Sequence, residues 1–71
     1  MKIVEIRERD IPDIIRGMRL DANLTQDELA RKCDVSKCAI VNYENGYQCP
    51  SIHILRKIMA SFGVHEVRIE V

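Results

Sequence analysis

Aromatic side chains are scarce: one phenylalanine, two tyrosines and no tryptophan in 71 residues. The core must therefore be built almost wholly from aliphatic residues. Neither charge is in excess, since 11 Lys and Arg balance 11 Asp and Glu. That counts against a protein gripping nucleic acid by bulk charge, while a local basic face stays open if the acids lie elsewhere. No apolar run approaches the ~20 residues needed to cross a bilayer, and Lys2 begins no secretory leader. A cytoplasmic chain without membrane contact is expected. The three cysteines, Cys33, Cys38 and Cys49, are odd in number and fit no disulfide framework, so reduced thiols are expected. No C-x-x-C pair occurs, and Cys49 with His53 makes too thin a set for zinc. Neither metal nor cofactor is expected. His53 and His65 have no catalytic partners and read as surface or helix-packing residues. Without a nucleophile–base–acid grouping or a phosphate loop, nothing argues for an enzyme.

The chain is short enough for one domain with a small core. Residues 2–7 are β-branched and flanked by charge, which reads as a strand. Asp10 stands where a cap would open a helix over 11–22, with Pro12 in its first turn and Ile11, Ile14, Ile15 and Met18 on its inner stripe. Gly17 weakens that helix by about 1 kcal/mol relative to Ala. Thr25 and Glu28 form a capping box for a helix over 26–33. Another helix spans 36–44, stopped by Asn45-Gly46. Ser51 opens the last one, 51–62, with Ile54 or Leu55, Ile58, Met59 and Phe62 inward and Gly63 as its stop. Residues 65–71 alternate, Val67, Ile69 and Val71 against Arg68 and Glu70, as a half-buried strand does.

Residues 25–44 are the most informative stretch. Leu29, Cys33, Val35, Ile40 and Tyr43 supply an apolar seam between two short helices. Ala30 keeps a small side chain where they cross, Asp34 falls at the sharp turn, and Ser36 caps the helix that follows. This is a helix-turn-helix pattern, whose second helix fits the DNA major groove. At this point the stretches "LTQDELARKCDVSKCAIVNYENG" and "PSIHILRKIMASFGV" within residues 11–63 resemble the phage Cro and repressor family, the XRE-type helix-turn-helix proteins. The chain departs from that family at Asp34, where glycine is usual, and at the C-terminus, where a fifth helix is usual and a strand is read here. The fold implied is mainly α: a four-helix lambda-repressor-like domain with short terminal β-strands.

The resemblance implies site residues. In such proteins the third helix enters the major groove, which would put Lys37, Cys38, Val41 and Asn42 against bases. Lys37 would donate to guanine, Asn42 would pair with adenine, and Val41 or Cys38 would touch a thymine methyl. Gln26, Asn45 and Gly46 match phosphate-contacting positions, with Ser36, Tyr47, Gln48 and Arg16 as further phosphate neighbours. Arg19 and Glu44 match a family pair in which a basic residue on the first helix holds the acid closing the third, with part of the guanidinium near phosphate.

Two short strands leave unpaired edges. The expected solution is that the ends pair with each other and that a free edge pairs with a second copy, using Ile3, Val4, Ile6, Val67, Ile69 and Val71. The function expected is a sequence-specific, dimeric repressor that reads a palindromic stretch of double-stranded DNA. The alternative is a protein-interaction module, an antitoxin or regulator-binding protein with little DNA binding of its own. Its clues are the neutral charge and the Cys38/Val41 surface.

Overall fold

At each end of the chain β-branched residues alternate with charges, and these two ends lie side by side. The structure, a computed structural model, describes residues 3–70, with side chains for 5–69. Strand β1 (Ile3–Arg7) runs through a 3-10 turn (Glu8–Asp10) into helices α1 (Ile11–Asp21), α2 (Gln26–Cys33), α3 (Lys37–Glu44) and α4 (Ile52–Ser61), and β2 (Glu66–Glu70) follows. β1 and β2 pair in parallel, Ile3 opposite Glu66 and Arg7 opposite Glu70. Parallel neighbours cannot be joined by a tight hairpin, so the helical domain itself is the crossover. Lys2 and Val71, assigned to the strands from sequence, lie outside the described residues. No helix among the described residues is long and apolar enough to cross a membrane.

One aliphatic core joins sheet and helices. Ile6 from β1, Ile11 and Ile15 from α1, Leu29, Ala30 and Cys33 from α2, Ile40 from α3, Leu55, Ile58 and Met59 from α4 and Val67 from β2 are all buried. Ile14, Met18, Val35, Tyr43, Ile54, Phe62 and Ile69 pack against them. Cys33 behaves as the small core residue its position suggested, its sulfur 3.4 Å from Ser61 Oγ. Ile6 and Val67, expected at a dimer contact, are 1% and 7% exposed in the chain's own core. Their side chains are therefore closed to a second copy, and a shared sheet would have to use backbone edges.

Three helices open on a hydroxyl cap: Thr25 accepts from Glu28 N, Ser36 from Ala39 N and Ser51 from Ile54 N. Glu28 completes the capping box by accepting from Thr25 N at 2.9 Å. Asp10 does not cap α1. The 3-10 turn brings the chain into α1 already helical, with Asp10 at φ −91° and ψ −8° and no side-chain cap hydrogen bond. A cap residue needs extended backbone to aim its oxygen at the helix N–H groups, and the turn denies Asp10 that conformation.

All four helices end the same way, on a left-handed residue: Asn23, Asp34, Gly46 and Gly63. In each, the next N–H reaches back five residues: Leu24 to Arg19 O, Val35 to Ala30 O, Tyr47 to Asn42 O and Val64 to Met59 O, all at 3.0 Å. This closure satisfies carbonyls that the helix leaves unpaired. Asn and Asp tolerate the left-handed region better than other side chains, which is why two of the four ends need no glycine.

Gly17 and Gly46 should therefore respond oppositely to alanine. A Cβ on Gly17 would meet nothing within 4 Å, whereas Gly46 sits at φ +75°. In urea denaturation, Gly17→Ala should stabilise the fold by about 1 kcal/mol through helix propensity. Gly46→Ala should destabilise it by about 1–2 kcal/mol through backbone strain.

Candidate nucleic-acid interface

The turn Asp34-Val35-Ser36 sets α3 against α2. Asp34 takes φ 56° and ψ 46° as the C-cap of α2. From α4, Lys57 Nζ donates to Asp34 O at 3.2 Å, tying the turn to α4. Ser36 then opens α3, accepting from Ala39 N at 3.0 Å. With Leu29, Cys33 and Ile40 buried in the seam, the opposite side of α3 is left to solvent.

That side carries the residues expected to read bases. Lys37 and Cys38 are exposed, while Val41 and Asn42 are half-buried. Asn42 Nδ2 lies 3.8 Å from Cys38 Sγ and 3.4 Å from Gln48 Oε1. Asn45, Gly46, Tyr47 and Gln48 form an exposed loop beside the end of α3. Tyr47 is 79% exposed.

On the inner side of α3, at its last residue, is Glu44, the one buried charged residue among those described, at 3% exposure. Arg19 Nε donates to Oε2 at 2.7 Å and Nη2 to Oε1 at 2.9 Å, a two-pronged pair. The remaining nitrogen, Nη1, donates to Leu24 O at 2.9 Å. Arg16 Nη2 donates to the Glu44 carbonyl at 3.2 Å, and its Nε stands 3.5 Å from Oε1. Gln26 Nε2 donates to Oε1 at 3.4 Å. The junction thus gathers α1, α2 and α3 on one carboxylate. Arg16, Arg19 and Gln26, all expected near phosphate, turn their side chains to Glu44. The Arg19 side chain is only 13% exposed, whereas that of Arg16 keeps 46%. The roles of Arg16 and Gln26 at Glu44 were not legible from sequence, because hydrogen bonds between helices far apart in the chain leave no local signature. The same holds for Gln48 beside Asn42.

Burial alone would push the Glu44 carboxyl up, but the hydrogen bonds and charge of Arg19, helped by Gln26 and Arg16, outweigh it and hold it below the usual carboxylate range. The hydrogen bond to Glu44 raises Arg19 against the opposing effect of burial. The backbone and hydroxyl of Thr25 lower Glu28. No group of three or more His, Cys, Asp or Glu among the described residues is placed to hold a metal ion. His53 and His65 are both exposed.

A capped, tightly closed helix pair with its second helix turned outward is a helix-turn-helix unit. The chain belongs to the HTH_3 helix-turn-helix family, whose model matches residues 15–69. Its family is thus that of the XRE-type regulators to which the sequence motifs pointed. It is 34% identical over 50 residues to the cryptic phage CTXphi transcriptional repressor RstR of Vibrio cholerae, covering 70% of this chain and 45% of that protein. It is 45% identical over 42 residues to the HTH-type transcriptional regulator MJ0272 of Methanocaldococcus jannaschii, covering 59% and 64%. The chain therefore spans less than two thirds of either relative's length. Among solved structures, it is similar to the wild-type restriction-modification controller protein C.Esp1396I, with TM-score 0.72 and 27% identity over 78% of this chain and 70% of that one. An HTH_3 family transcriptional regulator from Vibrio cholerae gives TM-score 0.75 and 26% identity, over 80% of this chain and 32% of that one.

Two outcomes follow from the Glu44 junction. Breaking a buried pair strands the surviving charge. Glu44→Ala should therefore destabilise the fold by about 3 kcal/mol, well beyond the ~0–1 kcal/mol of an exposed pair. In a double-mutant cycle with Arg19→Ala the losses should be less than additive; a coupling near zero would mean the pair holds nothing. Acidification should also weaken the fold. Glu44 and Glu28 have lowered pKa values in the folded chain, so their stabilisation is full above the ordinary carboxylate value of 4.5 and lost as pH falls through the folded values. Thermal melts should show that loss setting in below about pH 5, and Glu44→Gln should make the acid limb shallower.

Proposed function

We propose that this chain is a sequence-specific transcriptional regulator that binds double-stranded DNA as a homodimer and reads a palindromic operator through α3, acting as a repressor. One observation carries the reading. α3 is fixed from behind by the buried Glu44, while Lys37, Cys38 and the polar loop 45–48 stand exposed on its other side. A helix so presented fits the major groove. Lys37 and Asn42 then reach base edges, and Cys38 and Val41 lie where a thymine methyl would pack. The hydroxyl of Ser36, the backbone N–H groups at the start of α2 around Gln26, the loop residues Asn45, Gly46 and Gln48, and the exposed part of Arg16 address phosphates. Arg19 supports α3 from behind, with little of its guanidinium left for phosphate.

The dimer rests on the two-stranded sheet β1-β2, whose outer edges would meet a second copy through the backbone. A regulator of this kind works where the chromosome lies, in the cytoplasm. A protein partner, a toxin or another regulator, is a second reading favoured by the exposed Tyr47 and Ile52. That reading would be preferred if no duplex selects the protein.

Selection from a random duplex library should enrich a palindrome with half-sites roughly 34 Å apart, bound by two copies in sedimentation. Binding should weaken steeply with salt as phosphate contacts release counterions. Lys37→Ala and Asn42→Ala should each cost about 1–3 kcal/mol on the best site and relax one base position, whereas Gln26→Ala, which keeps the backbone N–H groups but loses the hydrogen bond that helps hold α3 through Glu44, should weaken all sequences alike. Affinity indifferent to salt and to sequence would contradict the reading.

A further inference from the structure

The Asn42 side chain is already engaged on its nitrogen side. Its Nδ2 carries two N–H donors. One neighbour is Gln48 Oε1 at 3.4 Å and the other Cys38 Sγ at 3.8 Å, and both accept. No donor of the described residues reaches Oδ1. Gln48 is itself held in place: its backbone N–H donates to Asn42 O at 3.3 Å and that of Tyr47 donates to the same oxygen at 3.0 Å. This return of the chain depends on the left-handed Gly46 at φ +75°. Residues 42 and 48 are thus joined twice, once through backbone and once through side chains.

We infer that Gln48 is a positioning residue for base readout: it orients the Asn42 amide, with help from Cys38, so that Asn42 presents an acceptor alone, its Oδ1, to the major groove. This rests on the DNA-reading function proposed above. An acceptor alone recognises an exocyclic amino group, adenine N6 or cytosine N4, and is repelled by guanine O6 and thymine O4. A free Asn amide would instead pair with adenine at both N6 and N7. At the position read by Asn42 the chain therefore prefers adenine or cytosine over guanine or thymine on the contacted strand, and does not favour adenine alone.

The test is a set of binding measurements on duplexes carrying each of the four bases at the position where Asn42→Ala loses preference. The wild-type protein should bind the adenine and cytosine duplexes within about threefold of each other and about tenfold more tightly than the guanine and thymine ones. Gln48→Leu, at an exposed residue, should leave the thermal melt unchanged. It should free the amide, so that cytosine falls about tenfold below adenine. Gln48→Glu keeps an acceptor facing Nδ2 and should retain the adenine-or-cytosine pattern. A wild-type preference for adenine alone, or an unaltered pattern in Gln48→Leu, would overturn the role of Gln48 while leaving DNA reading by α3 intact. A wild-type protein with no base preference anywhere would overturn both.

Discussion

The carboxylate of Glu44 closes α3 from the inside, and the placement of the exposed face depends on it. A buried carboxylate without partners would be forced to take up a proton or would oppose folding. Here Arg19 meets both oxygens in parallel and still spares a nitrogen for the Leu24 carbonyl. Only a planar guanidinium makes that three-way contact; a lysine ammonium could not match both oxygens from one side. The same contact ties the end of α3 to α1 and to the α1–α2 turn at once. The orientation of the outward helix is thereby set by a charge pair rather than by apolar packing alone, which is non-directional.

A chain with no net charge can still address phosphates if its acids are internally engaged. Glu44 is buried against Arg19, Glu28 is bound to the Thr25 backbone, and Asp27 pairs with Arg31. Around α3 stand one exposed lysine, hydroxyl and amide side chains, the N–H groups of helix starts and of the loop after Gly46, and a single exposed acid, Asp34, in the turn before it. Such a face works through aimed donors more than through bulk field. It suits recognition in which base contacts weigh heavily beside phosphate contacts. The reciprocal Asn42–Gln48 contact belongs to the same scheme, since on the inference above it aims the Asn42 acceptor before any duplex arrives.

Much of the scaffold was legible because its determinants are local. The hydroxyl caps at Thr25, Ser36 and Ser51, the turn at Asp34 and the stops at Gly46 and Gly63 each follow from one or two residues acting on their own backbone. The apolar seam of Leu29, Cys33 and Ile40 follows from helical spacing. Asp10 misled because cap preference is meaningless once a 3-10 turn has set the backbone. Strand direction was also hidden: alternation in β1 and β2 shows which face is buried but not whether neighbours run parallel. The site was legible as a surface and much less so as a set of contacts. Family motifs pointed to Arg19 with Glu44, yet gave no sign that Arg16 and Gln26 would join them or that Lys57 would brace the turn.

The most direct test of the account is to follow the backbone amide resonances of the protein as a selected palindromic duplex is added. If α3 is the reading helix, the largest changes should fall on Ser36 through Asn42, on the start of α2 around Gln26 and on the loop from Asn45 to Gln48, with α4 little affected. Changes centred on α4 or on β2, with α3 unmoved, would contradict it.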